Sequence, residues 1–175
     1  MKQRTPHWSG CQYPLGGNRY FLNTGDVTVS ERAITLQTIL GSCVSVTAYH
    51  SERRAGGMCH YLLPKVPATP NHRLLKPGFY GWSALELLQQ QLMAMANLSA
   101  YRFSVFGGAS TVHTTDGRLG VGQQNLAVAH QWAQQNNLHF TEDHTGGSCC
   151  RTLLFDLRSG QLALRTIAME KGGLL

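Results

Sequence analysis

The chain has 175 residues, 42% of them hydrophobic and only 14% charged, which excludes a disordered polymer and supplies enough apolar material for a packed core. Its net charge of +6 is scattered, with Arg53-Arg54 the one adjacent basic pair; this is the pattern of a solvated surface attracted to an acidic partner rather than of a nucleic-acid-binding stripe. No apolar run approaches the roughly 18 residues that cross a bilayer, and no apolar segment follows Lys2 and Arg4 as a secretory leader would require. The five cysteines (11, 43, 59, 149 and 150) are odd in number and contain no Cys-x-x-Cys, so a reducing cytoplasm is expected instead of a disulfide framework.

Residues 1–19, with Pro6, Pro14 and Gly16-Gly17, read as a loosely ordered lead-in, and 20–175 as a single domain. Order is expected to begin near Tyr20-Phe21-Leu22. Ala33 to Leu40 mixes alternation with β-branched residues and reads as a strand, broken by Gly41-Ser42. Cys43 to Tyr49 alternates again, placing Val44, Val46 and Ala48 on one face and Cys43, Ser45, Thr47 and Tyr49 on the other. A turn over 51–57 leads to a third extended run, Met58 to Leu63. Residues 64–78 carry four of the six prolines and read as a long restrained loop, either a lid or a surface connector. Phe79 to Asn97 has the period of a helix, with Trp82, Leu85, Leu88, Leu92 and Met95 on its apolar stripe. A strand at 101–106, a second amphipathic helix from about 122 to 135, and a short strand at 138–141 follow. Runs at 151–157 and 161–167 flank Arg158-Ser159-Gly160 as a hairpin. Seven or eight strands and two helices, clustered rather than alternating, define an α+β fold with the helices packed on mostly antiparallel sheet.

Two side chains stand out chemically. Cys43 follows Gly41-Ser42 at the head of a strand, where backbone amides can turn toward a bound oxyanion and lower a thiol pKa. The alternative is a small buried cysteine. His60 lies in the apolar run Gly56-Gly57-Met58-Cys59-His60-Tyr61-Leu62-Leu63-Pro64. Paired with a cysteine on the neighbouring strand, its imidazole could take the thiol proton and return it to a leaving group; alone, it would be a hydrogen-bonded core residue. Zinc is disfavoured, because Cys59 and His60 are adjacent and point to opposite faces of a strand, as do Cys149 and Cys150. Gly120-Val121-Gly122 ahead of the second helix could receive an anion or simply mark a close backbone approach.

Taken in order, several stretches resemble the CheD family, the chemoreceptor glutamine deamidases of bacterial chemotaxis. They are Leu40-Gly41-Ser42-Cys43-Val44, the run from Gly56 to Pro64, Gly78-Phe79-Tyr80, Phe106-Gly107-Gly108-Ala109, Gly120 to Asn125, Thr145-Gly146-Gly147 with Arg151, Phe155-Asp156 and Ser159-Gly160. The resemblance covers roughly residues 20–167. It implies a β-sandwich-like core with two main helices outside, as in glutamine-deamidating toxins, and hydrolysis of receptor glutamines to glutamate through a thioester, with no cofactor and no metal. Cys43 would be the nucleophile, His60 the acid and base, and the backbone at Gly41 and Ser42 the oxyanion support. The family's third catalytic residue is a threonine shortly before the cysteine. Alignment six residues upstream gives Gln37, so either Thr38 serves, or Gln37 orients His60, or the role is absent; Thr38 is the preferred reading. The implied partners are methyl-accepting chemoreceptors and, for some members, a CheC-type phosphatase, with no nucleic acid and no membrane insertion; a docking module for these partners is the rival to an enzyme. Cys149-Cys150 departs from the family's usual residues.

Overall fold

The computed structural model describes residues 18–66, 76–110 and 119–169. Within them the chain forms β1 (Asn18–Phe21), β2 (Val27–Ser30), β3 (Ile34–Leu40), β4 (Val44–His50), β5 (Ala55–Tyr61), α1 (Gly81–Met93), β6 (Arg102–Gly107), α2 (Val121–Gln135), β7 (Phe140–Thr145), β8 (Cys149–Asp156) and β9 (Gln161–Ala168). The strands make two sheets, one ordered β1-β3-β8-β9 and the other β2-β5-β4-β6-β7. Only β1–β3 and β6–β7 pair parallel; the other five pairings are antiparallel. This is the expected α+β sandwich.

Two apolar layers follow from strand alternation. Val44, Val46 and Ala48 of β4, with Cys59 and Tyr61 of β5 and Phe103 and Val105 of β6, face the helices. They bury Leu85, Leu88 and Leu92 of α1 and Ala129, Trp132 and Ala133 of α2. The opposite face of the same sheet carries Tyr49, Met58 and Phe106, which pack against Leu36, Leu40, Leu153, Phe155 and Leu164 of the four-stranded sheet. The molecule is therefore sheet, sheet, helices, and the buried space between the two sheets is where residues from β3, β4 and β5 meet.

The differences from the sequence reading have local causes. β2 has only four residues, all half-buried, too short for a periodic signal. β5 starts at Ala55, three residues before Met58, because Gly56 and Gly57 are sheet residues and not turn residues. A Cβ on Gly56 would lie 2.2 Å from the Ala48 carbonyl oxygen, so the glycine permits close strand approach. The helix expected from 79 is delayed to Gly81. Tyr80 stays extended, bridging to Leu63 in parallel. The Gly81 N–H donates to the Leu63 carbonyl at 2.7 Å. The helix ends at Met93, so Met95 falls just beyond it. The hairpin after β8 is as expected: Gly160 has φ +74°, and the Asp156 carboxylate accepts from the Arg158 N–H and the Ser159 hydroxyl. Residues 1–17 of the lead-in and 67–75 of the proline-rich loop lie outside the described residues.

Candidate active site

In β3, Leu36, Thr38 and Leu40 are fully or almost fully buried while Ile39 is 51% exposed, so the even-numbered residues face the other sheet. Thr38 thus enters the inter-sheet layer and Gln37, half-buried, belongs to the opposite face. In β5 the inward residues are Met58 and His60. In β4, Ser45 sits directly across from His60 in the antiparallel register. Cys43 is two residues before Ser45, on the same face and diagonal to His60, and it packs against the inter-sheet cluster. The fold therefore brings Cys43, His60 and Thr38 into one layer from two sheets.

The polar contacts fix the histidine. Thr38 Oγ1 donates to the Leu22 carbonyl at 3.0 Å and lies 2.8 Å from His60 Nδ1. A carbonyl can only accept; with the threonine proton given to Leu22, its lone pair faces Nδ1, and in that arrangement Nδ1 carries hydrogen. That tautomer leaves the lone pair on Nε2, the nitrogen free for proton transfer. Thr24 Oγ1 stands 3.5 Å from Nε2. The strand end is held by Gly25 N–H donating to the His60 carbonyl at 2.7 Å and by His60 N–H donating to the Asp26 carbonyl at 3.0 Å. Burial lowers the His60 pKa below its ordinary 6.5, against the pull of the Leu22 carbonyl and the Asp26 charge. Asp26 in turn is held below the usual carboxylate value, despite its own burial, by Lys76 at 2.6 Å and the Asn23 N–H at 2.8 Å.

The segment before Cys43 is pinned by its carbonyls. Gly41 accepts from Ala109 N–H and Cys43 from Gly108 N–H, both at 2.8 Å. Ser42 accepts from Asn125 Nδ2 at 3.0 Å. Gly107 (φ +103°) is required here, since a Cβ would lie 2.1 Å from the Cys43 carbonyl oxygen. Cys43 itself is half-buried; desolvation raises its thiol pKa, and its own backbone N–H, close to the sulfur, works the other way. Thiol and imidazole are thus both biased toward their neutral forms, a pair suited to proton transfer in step with attack.

The remaining sequence candidates separate clearly. Cys59 faces the helices, is fully buried, and its pKa is pushed up to about 12 by desolvation, as expected of an inert core thiol. Cys149 and Cys150 are half-buried and free, on alternate faces of β8. Among the described residues no group of three or more His, Cys, Asp or Glu could hold a metal ion. Gly122 is a close-approach glycine: a Cβ would lie 2.4 Å from the Ala109 carbonyl oxygen. Sequence reasoning passed over Thr24 and Asp26, and gave no role to Asn125. Asn125 is completely buried, and an amide in line with Gly122, Ala129 and Trp132 on the inner face of α2 was the available signal.

A cysteine and a histidine on one face of a sheet, with a buried hydroxyl from the opposing sheet 2.8 Å from the imidazole, are groups of the kind that thiol-dependent hydrolysis uses. A family model described as CheD chemotactic sensory transduction matches residues 62–166. The chain is 37% identical over 146 residues, 82% of its length and 85% of the relative's, to a protein of Dechloromonas aromatica named "Probable chemoreceptor glutamine deamidase CheD 3". It is 33% identical to "Probable chemoreceptor glutamine deamidase CheD 1" of Chromobacterium violaceum, over 85% of this chain and 78% of that one. It is 34% identical to "Probable chemoreceptor glutamine deamidase CheD" of Pseudomonas syringae pv. syringae, over 90% and 89%. The chain belongs to the CheD family.

Proposed function

We propose that this protein hydrolyses the side-chain carboxamide of glutamines on chemoreceptors, with Cys43 as nucleophile, His60 as base and acid, and Thr38 as the residue that orients His60. The observation that carries the reading is the 2.8 Å contact between Thr38 Oγ1 and His60 Nδ1, which supports Nε2 as the nitrogen that exchanges a proton with Cys43. The names of the relatives support the substrate.

In the first half-reaction Cys43 Sγ attacks the amide carbon and its proton passes to His60 Nε2. The carbon–sulfur bond forms, the oxyanion rests on backbone N–H groups of the Gly41-Ser42-Cys43 segment, and collapse breaks the carbon–nitrogen bond as His60 returns the proton, releasing ammonia. Water then attacks the thioester as His60 takes its proton; the carbon–oxygen bond forms, the carbon–sulfur bond breaks, and His60 returns the proton to Cys43 Sγ, restoring the thiol. The balance is one glutamine and one water in, one glutamate and one ammonia out. Each turnover adds a negative charge to the receptor, to which a protein of net charge +6 is attracted. Such a substrate places the work in the cytoplasm.

The test is peptide mass spectrometry of a chemoreceptor cytoplasmic domain incubated with wild type and with Cys43→Ala. A site-specific gain of about one dalton with wild type alone supports the reading; loss of about fourteen would mean methyl-ester hydrolysis instead (mass arithmetic of the exchanged group). No change with either protein, alongside binding to receptor or to a CheC-type phosphatase that survives Cys43→Ala, would make the chain a docking module.

A further inference from the structure

We infer that Asn125 is a positioning residue of this site: from α2, its side-chain amide holds the Ser42–Cys43 peptide so that the Cys43 N–H is aimed at the reacting sulfur and the oxyanion. The inference rests on the thiol-hydrolase reading above and adds to it a residue outside the Cys43, His60 and Thr38 set.

Asn125 is fully buried on the inner side of α2. Its Nδ2 group donates to the Ser42 carbonyl at 3.0 Å and to the Leu62 carbonyl at 2.9 Å, so both amide protons are used. The opposite amide orientation would set Oδ1 against two carbonyl oxygens, so the assignment is unambiguous. The two acceptors lie where the β4–β5 ladder runs out: Val44 opposite Tyr61 is its last pair. One amide therefore ties the residue before Cys43 to the residue two beyond His60.

The consequence at Cys43 follows from peptide geometry. In a trans peptide the N–H points opposite to the C=O. With the Ser42 carbonyl drawn toward α2, the Cys43 N–H is directed away from the helices, toward the inter-sheet side where the Cys43 and His60 side chains lie. A hydrogen bond to the carbonyl also polarises the peptide and strengthens that N–H as a donor. A side chain that only filled space would leave the Ser42 and Leu62 carbonyls without this donor. Asn125 instead leaves its own Oδ1 buried without a partner while giving one proton to the Ser42 carbonyl beside Cys43 and the other to the Leu62 carbonyl. The backbone of α2 at this point is anchored separately, by Tyr61 Oη donating to the Asn125 carbonyl at 2.8 Å, so loosening the helix and losing the amide can be told apart.

The experiment compares wild type, Asn125→Ala and Tyr61→Phe in receptor deamidation and in iodoacetamide alkylation of Cys43, followed by peptide mass spectrometry from pH 6 to 10 (a range spanning imidazole and thiol titration). In Asn125→Ala, kcat falls about tenfold or more, the scale of a weakened oxyanion donor, with KM within about threefold. The pH at which Cys43 alkylates half-maximally rises. Tyr61→Phe lowers the melting temperature but leaves the alkylation profile in place. If Asn125→Ala does not fold, Asn125→Ser, with one shorter donor, reads out the same rise. The inference is overturned if the alkylation profile and kcat are unchanged in the Asn125 variant, or if Tyr61→Phe moves both to the same extent. Absence of turnover by wild type would instead overturn the hydrolase reading, and the alkylation profile, which needs no substrate, would still report on Asn125.

Discussion

The least conspicuous of the three proposed residues is the one whose hydrogen bonds say most. Thr38 is completely buried and its single hydroxyl serves two groups: it can give its proton to Leu22 and accept one from His60 Nδ1. Valine has nearly the same shape but can do neither. In Thr38→Val the imidazole loses the acceptor that selects its tautomer, and the Leu22 carbonyl loses a donor. We expect kcat for ammonia release to fall by roughly 10²-fold, the lower end of what a positioned acid–base group contributes, with KM little changed. Thr38→Ser keeps the oxygen and should retain activity within about tenfold, since only a methyl group is lost. A valine variant with wild-type kcat would remove Thr38 from the mechanism. Gln37, which the sequence left as a rival, cannot share this place while β3 remains a regular strand, because adjacent side chains face opposite ways.

At the scale of elements, two kinds of packing do different things, and a pair of substitutions separates them. Leu88 of α1 sits in the layer between helices and sheet, remote from the inter-sheet face that holds Cys43. Leu88→Ala should cost about 2–5 kcal/mol of stability through lost burial and a cavity, with kcat at 25 °C unchanged in the folded protein. Gly107→Ala strikes the site directly: at φ +103° a Cβ is strained, and the atom it meets is the Cys43 carbonyl oxygen at 2.1 Å, part of the backbone that carries the nucleophile. Its cost should be about 2–4 kcal/mol, but kcat should fall as well, measured by ammonia release against a denaturation curve for each variant. This difference also marks what the sequence could reveal. Long periodic elements such as α1, α2, β4 and the β8–β9 hairpin are legible because their apolar spacing is set by a helix or strand facing one layer. The four-residue β2 is not, nor is the role of Gly56 as a sheet residue, because both depend on a partner strand and not on local pattern. Cys43 and His60 were legible as a motif. Their tie to Thr38 came only through the family resemblance, with Gln37 as its rival, because it joins strands of different sheets, and no spacing rule relates β3 to β5 across a sandwich.

For the whole molecule the same buried histidine links folding to pH. His60 is lowered below its ordinary 6.5 chiefly by burial, so between that value and its folded pKa the unfolded chain binds a proton that the folded chain does not. Stability therefore rises with pH across this window. The contribution is fully present above about 6.5, the unfolded value, and is lost as pH falls through the folded pKa. Asp26 adds a second step in the same direction but lower down: its pKa is below 3.8 in the fold, so what its contacts with Lys76 and Asn23 contribute is lost only as pH falls below that range. Urea unfolding should accordingly show a stability plateau only between about pH 7 and 8, below the range in which the buried Cys43 and Cys59 thiols, raised in the fold, would ionise on unfolding, then a first decline beginning near pH 6.5 with a slope of at most about 1.4 kcal/mol per pH unit for one proton, and a further decline in the acid range. In His60→Gln the first decline should be much reduced and the second kept. Because Thr38 and His60 stand on different sheets, the proton that His60 accepts at low pH also enters the interface that holds the sandwich together. A His60→Gln variant that still lost stability between pH 6.5 and 5 to the same extent as wild type would place the linkage on another group and remove His60 as the buried titrating residue of the fold.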